Sequence, residues 1–153
     1  MAPALVHGGD GYAPNPAVRQ VDTSFHPRSA ATAWLYDRID GLFAEAAAAL
    51  GLEIGPMRED IQLLCYRPGC HFQMWHSDAG HDLTGDRILS ISIELSDASG
   101  YEGGDLEIIP QLLGRSRPPG RGAARLFRSR ALHRVTPVTA GTRWALVNWT
   151  GAR

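Results

Sequence analysis

Residues 72–78 read FQMWHSD. The run has the texture of a short β-strand, and strand side chains alternate between faces, so His76 and Asp78 project to the same side, two residues apart. One imidazole and one carboxylate are adjacent through backbone geometry alone. A third ligand, a second imidazole nitrogen, stands in LHRVTP, residues 132–137, where His133 lies on a separate strand-like run 57 residues later. Two histidines and one carboxylate on one face of a metal ion leave the opposite positions open, a ligand set suited to non-haem iron. An H-x-D pair is a weak signal by itself, so the rest of the chain has to decide whether the triad exists.

Outward from this strand the texture stays β-rich. Short runs separated by Gly, Pro and Asp predict strands over 61–66, 72–76, 88–95, 106–109, 124–127, 132–136 and 142–149. Seven short strands with turn signals between them predict a sandwich or closed barrel. Before them, Leu35, Ile39, Leu42, Phe43, Ala46 and Leu50 recur at helical spacing, with Ser29 as N-cap and Gly51 as the stop, which predicts one amphipathic helix over 29–50. Its apolar face needs a sheet to cover it. Residues 1–20 mix Gly, Pro, Ala and Asn without periodicity and read as a loose arm or an edge segment. The Pro/Gly-rich basic stretch Gln111 to Gly122 reads as the one long loop. At 153 residues and 44% hydrophobic content, the chain reads as a single domain with one core.

Composition excludes several chemistries. The chain has no Lys, so a lysine Schiff base, a P-loop lysine and a lysine general base are all ruled out. All the acids lie at or before Glu107, whereas residues 108–153 hold nine Arg and no acid. That asymmetry reads either as a cationic surface for an anionic partner or as strands from both halves interleaving in space and mixing the charges. A nucleic-acid role would require several arginines of 115–134 along one open groove. Cys65 and Cys70 match no zinc spacing and are too few for a disulfide scaffold, so they read as reduced thiols. No apolar run approaches the ~18–20 residues of a membrane helix, and the expected location is cytoplasmic.

The triad fits into a longer ordered pattern. Tyr66, then His76-x-Asp78, then Arg87, then YEGGDLEIIP from Tyr101 to Pro110, then Leu132 to Val138 around His133, then Gly141-Thr142-Arg143-Trp144 resembles the 2-oxoglutarate and Fe(II)-dependent dioxygenases of the prolyl 4-hydroxylase type. The resemblance covers roughly residues 58–150. It implies a double-stranded β-helix, a jelly-roll barrel, over 58–150, supported by the helix over 29–50, all within one dioxygenase domain. It also implies that His76, Asp78 and His133 bind Fe(II), and that Arg143 holds the distal carboxylate of 2-oxoglutarate with Tyr66 as a further contact. Dioxygen is the co-reactant and ascorbate an expected reductant. The implied reaction couples decarboxylation of 2-oxoglutarate to hydroxylation of an unactivated C–H bond. An acid at Asp78 argues against halogenation, which needs that metal position free for chloride.

The expected substrate is peptidyl and of the prolyl type, laid across an open barrel mouth under the loop 111–122. A free amino acid or small natural product is the alternative, and a homo-oligomer that completes the pocket belongs to that second reading. A non-catalytic, cupin-like metal-binding domain is the competing class; it has no use for Arg143 or Tyr66. Arg87 and Glu94 are expected near substrate, with pairing to Arg143 as the other reading of Glu94. Gly103 and Gly104 are expected to mark a close backbone approach rather than a phosphate cradle. Trp149 shares a face with Arg143, Ala145 and Val147 and is expected to fill the barrel core. His81 is expected near the mouth without an assigned role.

Overall fold

Alternation along one central strand sorts the whole molecule into an outside and an inside. Between Arg87 and Glu94, Leu89, Ile91 and Ile93 join the cluster that packs under the helix, while Ser90, Ser92 and Glu94 turn the other way and are buried as polar groups. A computed structural model describes residues 1–8, 11–80, 84–109 and 120–152. In chain order its elements are β1 (Ala2–Pro3), β2 (Val6–Gly8), β3 (Gly11–Ala13), β4 (Asp22–His26), α1 (Ala33–Leu50), β5 (Ile61–Tyr66), β6 (Phe72–His76), β7 (Arg87–Glu94), β8 (Tyr101–Gly103), β9 (Leu106–Ile108), β10 (Ala124–Arg128), β11 (His133–Val135), β12 (Val138–Gly141) and β13 (Arg143–Gly151).

Six of these strands form the larger sheet, in the order β1-β4-β5-β13-β7-β10, and β6-β11-β9 form the smaller one, with β12-β8 and β2-β3 as separate pairs. One apolar cluster, including Leu64, Tyr66, Leu106, Ile108, Phe127 and Val135, fills the space between the two sheets. The other lies outside the larger sheet, where Tyr36, Ile39, Phe43 and Ala47 of α1 cover Ile61, Leu89, Ile91, Ile93 and Leu146. Each large apolar side chain buried there contributes roughly 1.5–3 kcal/mol. Tyr36 ties the helix down further, donating to the His26 carbonyl at 2.8 Å and accepting from the Ile61 amide at 3.1 Å. The architecture is the double-stranded β-helix that the resemblance implied, and among the described residues one helix, α1, packs outside the larger sheet.

The helix begins four residues later than expected. Thr32 rather than Ser29 is the cap residue, because residues 29–32 form a turn in which the Ser29 carbonyl accepts the amides of Thr32 and Ala33. Gly51 closes the helix in the left-handed conformation (φ 63°), its amide bonding back to the carbonyls of Ala47 and Ala48. The segment read as an arm or edge is tied in by pairing: Ala2–Pro3 forms the outer edge of the larger sheet against β4, and Gln20 pairs with His71. Residues 111–119, which make up most of the expected long loop, lie outside the described residues, as does His81.

The lopsided charge is mixed by the fold. Arg121 pairs with Asp97, Arg134 with Glu107 and Arg143 with Glu94, each joining the basic last third to an acid of the earlier chain. At Gly103 (φ 69°) an added Cβ would stand 2.2 Å from the Pro137 carbonyl oxygen, and at Gly104 (φ 64°) 2.8 Å from Val138 Cγ2. Close backbone approach beside β12 therefore requires glycine at both positions.

Candidate active site

Register brings the two histidines together. His76 ends β6, His133 opens β11, and the antiparallel pairing sets them directly opposite each other. Asp78 follows in a bend held by Ser129, whose carbonyl accepts the amides of Asp78 (2.9 Å) and Ala79 (3.1 Å) and the hydroxyl of Ser77 (2.9 Å). Asp78 Oδ1 then lies 3.4 Å from His133 Nε2 and 4.0 Å from His76 Nε2, and the ligand atoms of the three residues all fall within 4.8 Å of one another. Among the described residues no other group of His, Cys, Asp or Glu converges in this way.

The surrounding hydrogen bonds aim these atoms. Each histidine places Nδ1 against a backbone carbonyl two residues back, His76 against Met74 at 2.9 Å and His133 against Ala131 at 3.0 Å. Nδ1 therefore carries the proton of the neutral ring and Nε2 is left facing inward with its lone pair. Ser90 donates to Asp78 Oδ2 at 2.7 Å and lies 2.9 Å from the Ser129 hydroxyl. Phe72 stacks on the His76 ring, with centroids 3.5 Å apart, and fixes its plane. Burial pushes His76 down to about 4, and His133 pushes the same way, so its Nε2 is free of a proton at neutral pH. For Asp78, burial pulls upward, but the hydrogen bond and charge of His133 together with the Ser90 bond outweigh it and hold the carboxyl well below the usual range. In His133 burial is likewise overridden, here by Asp78, and the net shift is upward. Two imidazole nitrogens and one carboxylate, each oriented from behind, fit a divalent metal ion.

The triad opens into a cavity of about 1140 Å³ walled by both sheets. Ligand pockets commonly span roughly 300–1,000 Å³, so there is room for two small ligands together. Arg143 lines the cavity opposite Tyr66 in register, with its guanidinium 5.3 Å from the Tyr66 ring. Both are buried, and Gln62 and Leu64 share the wall with Tyr66, as alternation predicts. Behind Arg143 stands Glu94, 2% exposed, which accepts from Arg143 Nε at 2.9 Å, from the Tyr101 hydroxyl at 3.2 Å and from the Ser96 amide at 3.2 Å. Of the two readings of Glu94, the structure takes the pairing with Arg143, and Glu94 does not line the cavity.

Arg87 does line the cavity, but its guanidinium is already engaged. It forms a two-point pair with Glu59, donates to the Asp78 carbonyl at 3.2 Å and lies 3.8 Å over the Trp149 ring. Its bond to the Asp78 carbonyl helps hold the triad. Trp149 lines the cavity with Arg143, Ala145 and Val147, in line with its expected face.

The N-terminal segment continues the cavity wall, partly through β1 and β4 on the same sheet. Ala2 to Val6, Tyr12, Arg19, Thr23 and Phe25 all line the cavity. Arg19 is the functional candidate that sequence reasoning missed: an arginine in an aperiodic segment gives no signal of where it points. Its guanidinium sits 5.1 Å from the Phe72 ring, next to the triad.

Comparison with known proteins agrees with this geometry. Among curated proteins, the chain is 41% identical over 80 residues to a PKHD-type hydroxylase of Synechococcus sp. (strain CC9605), and 41% identical over 61 residues to one of Idiomarina loihiensis. The matches cover 49% and 40% of this chain and 34% and 28% of those proteins, so the chain spans about a third of the length of the curated relatives it matches. Among solved structures, a Pseudomonas putida prolyl-4-hydroxylase superposes with a TM-score of 0.69 at 22% identity, covering 91% of this chain and 77% of that one. A Trichoplax adhaerens prolyl hydroxylase in complex with a hypoxia inducible factor peptide fragment gives a TM-score of 0.74 at 20% identity, covering 98% and 70%. These two share the fold. A sequence model of one family matches residues 61–151, which include the triad, Tyr66 and Arg143, and on that match the chain belongs to the 2OG-Fe(II) oxygenase superfamily.

Proposed function

We propose that this protein is an Fe(II)- and 2-oxoglutarate-dependent hydroxylase acting on an unactivated C–H bond of a peptidyl, prolyl-type substrate. The observation that carries the reading is the convergence of His76, Asp78 and His133 in a cavity that also holds a buried arginine, Arg143, paired with a carboxylate behind it. Iron with 2-oxoglutarate and dioxygen supplies the oxidation of the C–H bond, with succinate and carbon dioxide as the co-products.

The chain's own residues do the positioning. His76 and His133 present Nε2 to the metal because their Nδ1 atoms are held by backbone carbonyls, and Asp78 supplies the anionic ligand because Ser90 and the Ser129 carbonyl fix it. Arg143 receives the distal carboxylate of 2-oxoglutarate through its remaining guanidinium N–H groups, its Nε being held by Glu94. Tyr66 walls the same place and excludes water. Apolar Leu64, Val135 and Phe127 keep the surroundings dry, which strengthens each of these charge interactions.

A peptidyl substrate is supported by the mouth, where Leu5 and Phe25 are half exposed at the cavity edge and suit an apolar segment laid across it. The Trichoplax adhaerens structure with its bound peptide fragment gives the same lean by analogy. A free amino acid or small natural product is the second reading, favoured by the cationic Arg19 that the N-terminal segment adds to the cavity lining. The test is to incubate the iron-loaded protein with 2-oxoglutarate and, separately, peptide and free amino-acid libraries. Succinate release coupled to addition of one oxygen atom to a peptide is the expected result. Hydroxylation of free small molecules alone would overturn the peptidyl part, and absence of metal-dependent 2-oxoglutarate turnover would overturn the whole reading.

A further inference from the structure

Arg19 is held in place from both sides. Its amide bonds to the Asn15 carbonyl at 2.9 Å, and the next residue, Gln20, exchanges two backbone bonds with His71 at 2.8 Å each. This anchors the arginine across the start of β6, where its guanidinium covers Phe72, the ring that in turn stacks on His76. The side chain lines the cavity. Its Nε is buried and finds no acceptor, and Thr23 Oγ1 on the same wall is buried without a partner as well.

Among the described residues the other two arginines of the cavity are matched. Arg143 is compensated by Glu94 and Arg87 by Glu59, whereas among the described residues no carboxylate forms an ion pair with Arg19. Leaving a cation in a largely desolvated place without an anion is costly, and a ligand that brings the anion recovers that cost. A divalent ion on Asp78 leaves one positive charge, 2-oxoglutarate brings two negative ones, and Arg19 supplies the cation that closes the balance.

We infer that Arg19 is a second carboxylate-binding residue of the cavity, separate from Arg143. The charge count assigns it to 2-oxoglutarate; a carboxylate on the prime substrate is the other source of the same chemistry. The inference rests on the proposed function for the identity of the cavity, and it makes the N-terminal segment part of the binding site rather than only its outer cover.

The test is calorimetric and needs no turnover. The protein loaded with Mn(II) is titrated with 2-oxoglutarate as wild type, Arg19→Gln, Arg19→Lys and, as a control for lost positive charge, Arg121→Gln at the exposed pair with Asp97. The expected result is a dissociation constant raised at least about tenfold in Arg19→Gln, partly restored in Arg19→Lys, and unchanged in Arg121→Gln, with Mn(II) affinity equal throughout. Arg19→Lys keeps the charge and a long aliphatic stem beside Phe72, so it separates loss of binding from loss of folding. In the second arm, protein saturated with Mn(II) and 2-oxoglutarate is titrated with benzoate and N-acetyl amino acids. Dependence on Arg19 in the first arm supports the inference with the cosubstrate as the carboxylate, and dependence only in the second supports it with the prime substrate. Arg19→Gln behaving as wild type in both arms overturns it while leaving the proposed function standing; a wild type that binds neither metal nor 2-oxoglutarate sinks both.

Discussion

Two regions wall the same cavity and are built in opposite ways. Residues 61–151 contribute the two histidines, Tyr66 and Arg143 from strands whose register fixes each side chain, His133 opposite His76 and Arg143 opposite Tyr66, and Asp78 from the bend that follows β6. The N-terminal region contributes Thr23 and Phe25 from β4, beside β5 toward the edge of the larger sheet, and Leu5 and Arg19 from a connection and a single bridge. Groups that must hold a reactive centre to a fraction of an ångström sit in the central ladders, whereas the N-terminal strap adds its side chains at the edge of the larger sheet and in the connections around it, where they can change with less disturbance to those ladders. The first region is what the family match covers; the second lies outside it.

The contrast can be broken by substitution. The largest effect is expected for Asp78→Ala, which removes the anionic ligand: metal-dependent succinate release should fall to background, and metal binding followed by calorimetry should be lost with it. Retention of both would mean that the ladder region does not hold the metal. Next, Arg143→Gln should weaken 2-oxoglutarate binding by about two orders of magnitude, the scale of a lost charge-assisted pair of roughly 2–4 kcal/mol, with metal affinity little changed.

Glu94→Gln sharpens the picture from behind. Removing one member of a buried ion pair destabilises by about 3–5 kcal/mol, because it leaves Arg143 uncompensated. Added 2-oxoglutarate then supplies the missing anion, so the rise in melting temperature on adding it should be larger in this variant than in wild type. An equal or smaller rise would contradict the placement of the cosubstrate carboxylate at Arg143. The smallest effect is expected in the strap. Phe25→Ser should raise the KM for an apolar peptide several-fold, on the order of 1 kcal/mol, and leave substrate-free 2-oxoglutarate turnover unaltered. A change in substrate-free turnover would mean that the strap also shapes the metal site.

The same division explains what can be read from the sequence. His76, His133 and Arg143 are legible because strand periodicity and their order along the chain constrain them together, and alternation turns Ser90 and Glu94 inward. Asp78 is legible from its place in that order, but β6 ends at His76 and a bend held by the Ser129 carbonyl, not alternation, brings its carboxylate to the histidines. Glu59 is not legible as the partner of Arg87, because it precedes β5 and no periodicity governs it. Arg19 escapes for a related reason: its place is set by pairing of Gln20 with His71, a contact over fifty residues that leaves no local trace. The strand Asp22–His26 escapes as well, its polar residues Asp22, Thr23 and Ser24 hiding a pairing with β5. Helix onset moves from 29 to 33 because Ser29 and Thr32 both carry cap chemistry, and the turn between them uses Ser29 first.

The position of β13 in the larger sheet has a consequence for how the molecule comes to be folded at all. It pairs on one side with β5 and on the other with β7, and a side-chain bond from Asn148 reaches back 89 residues to the Glu59 carbonyl. Until that strand arrives, β5 and β7 each present a bare edge, so the sheet cannot zip up from neighbouring hairpins and must wait for a distant piece of chain to be captured. Such non-local pairing slows folding toward the millisecond-to-second range. It also leaves a window in which unpaired edges meet other copies, so recovery from denaturant should depend on protein concentration far more than the native fold would suggest.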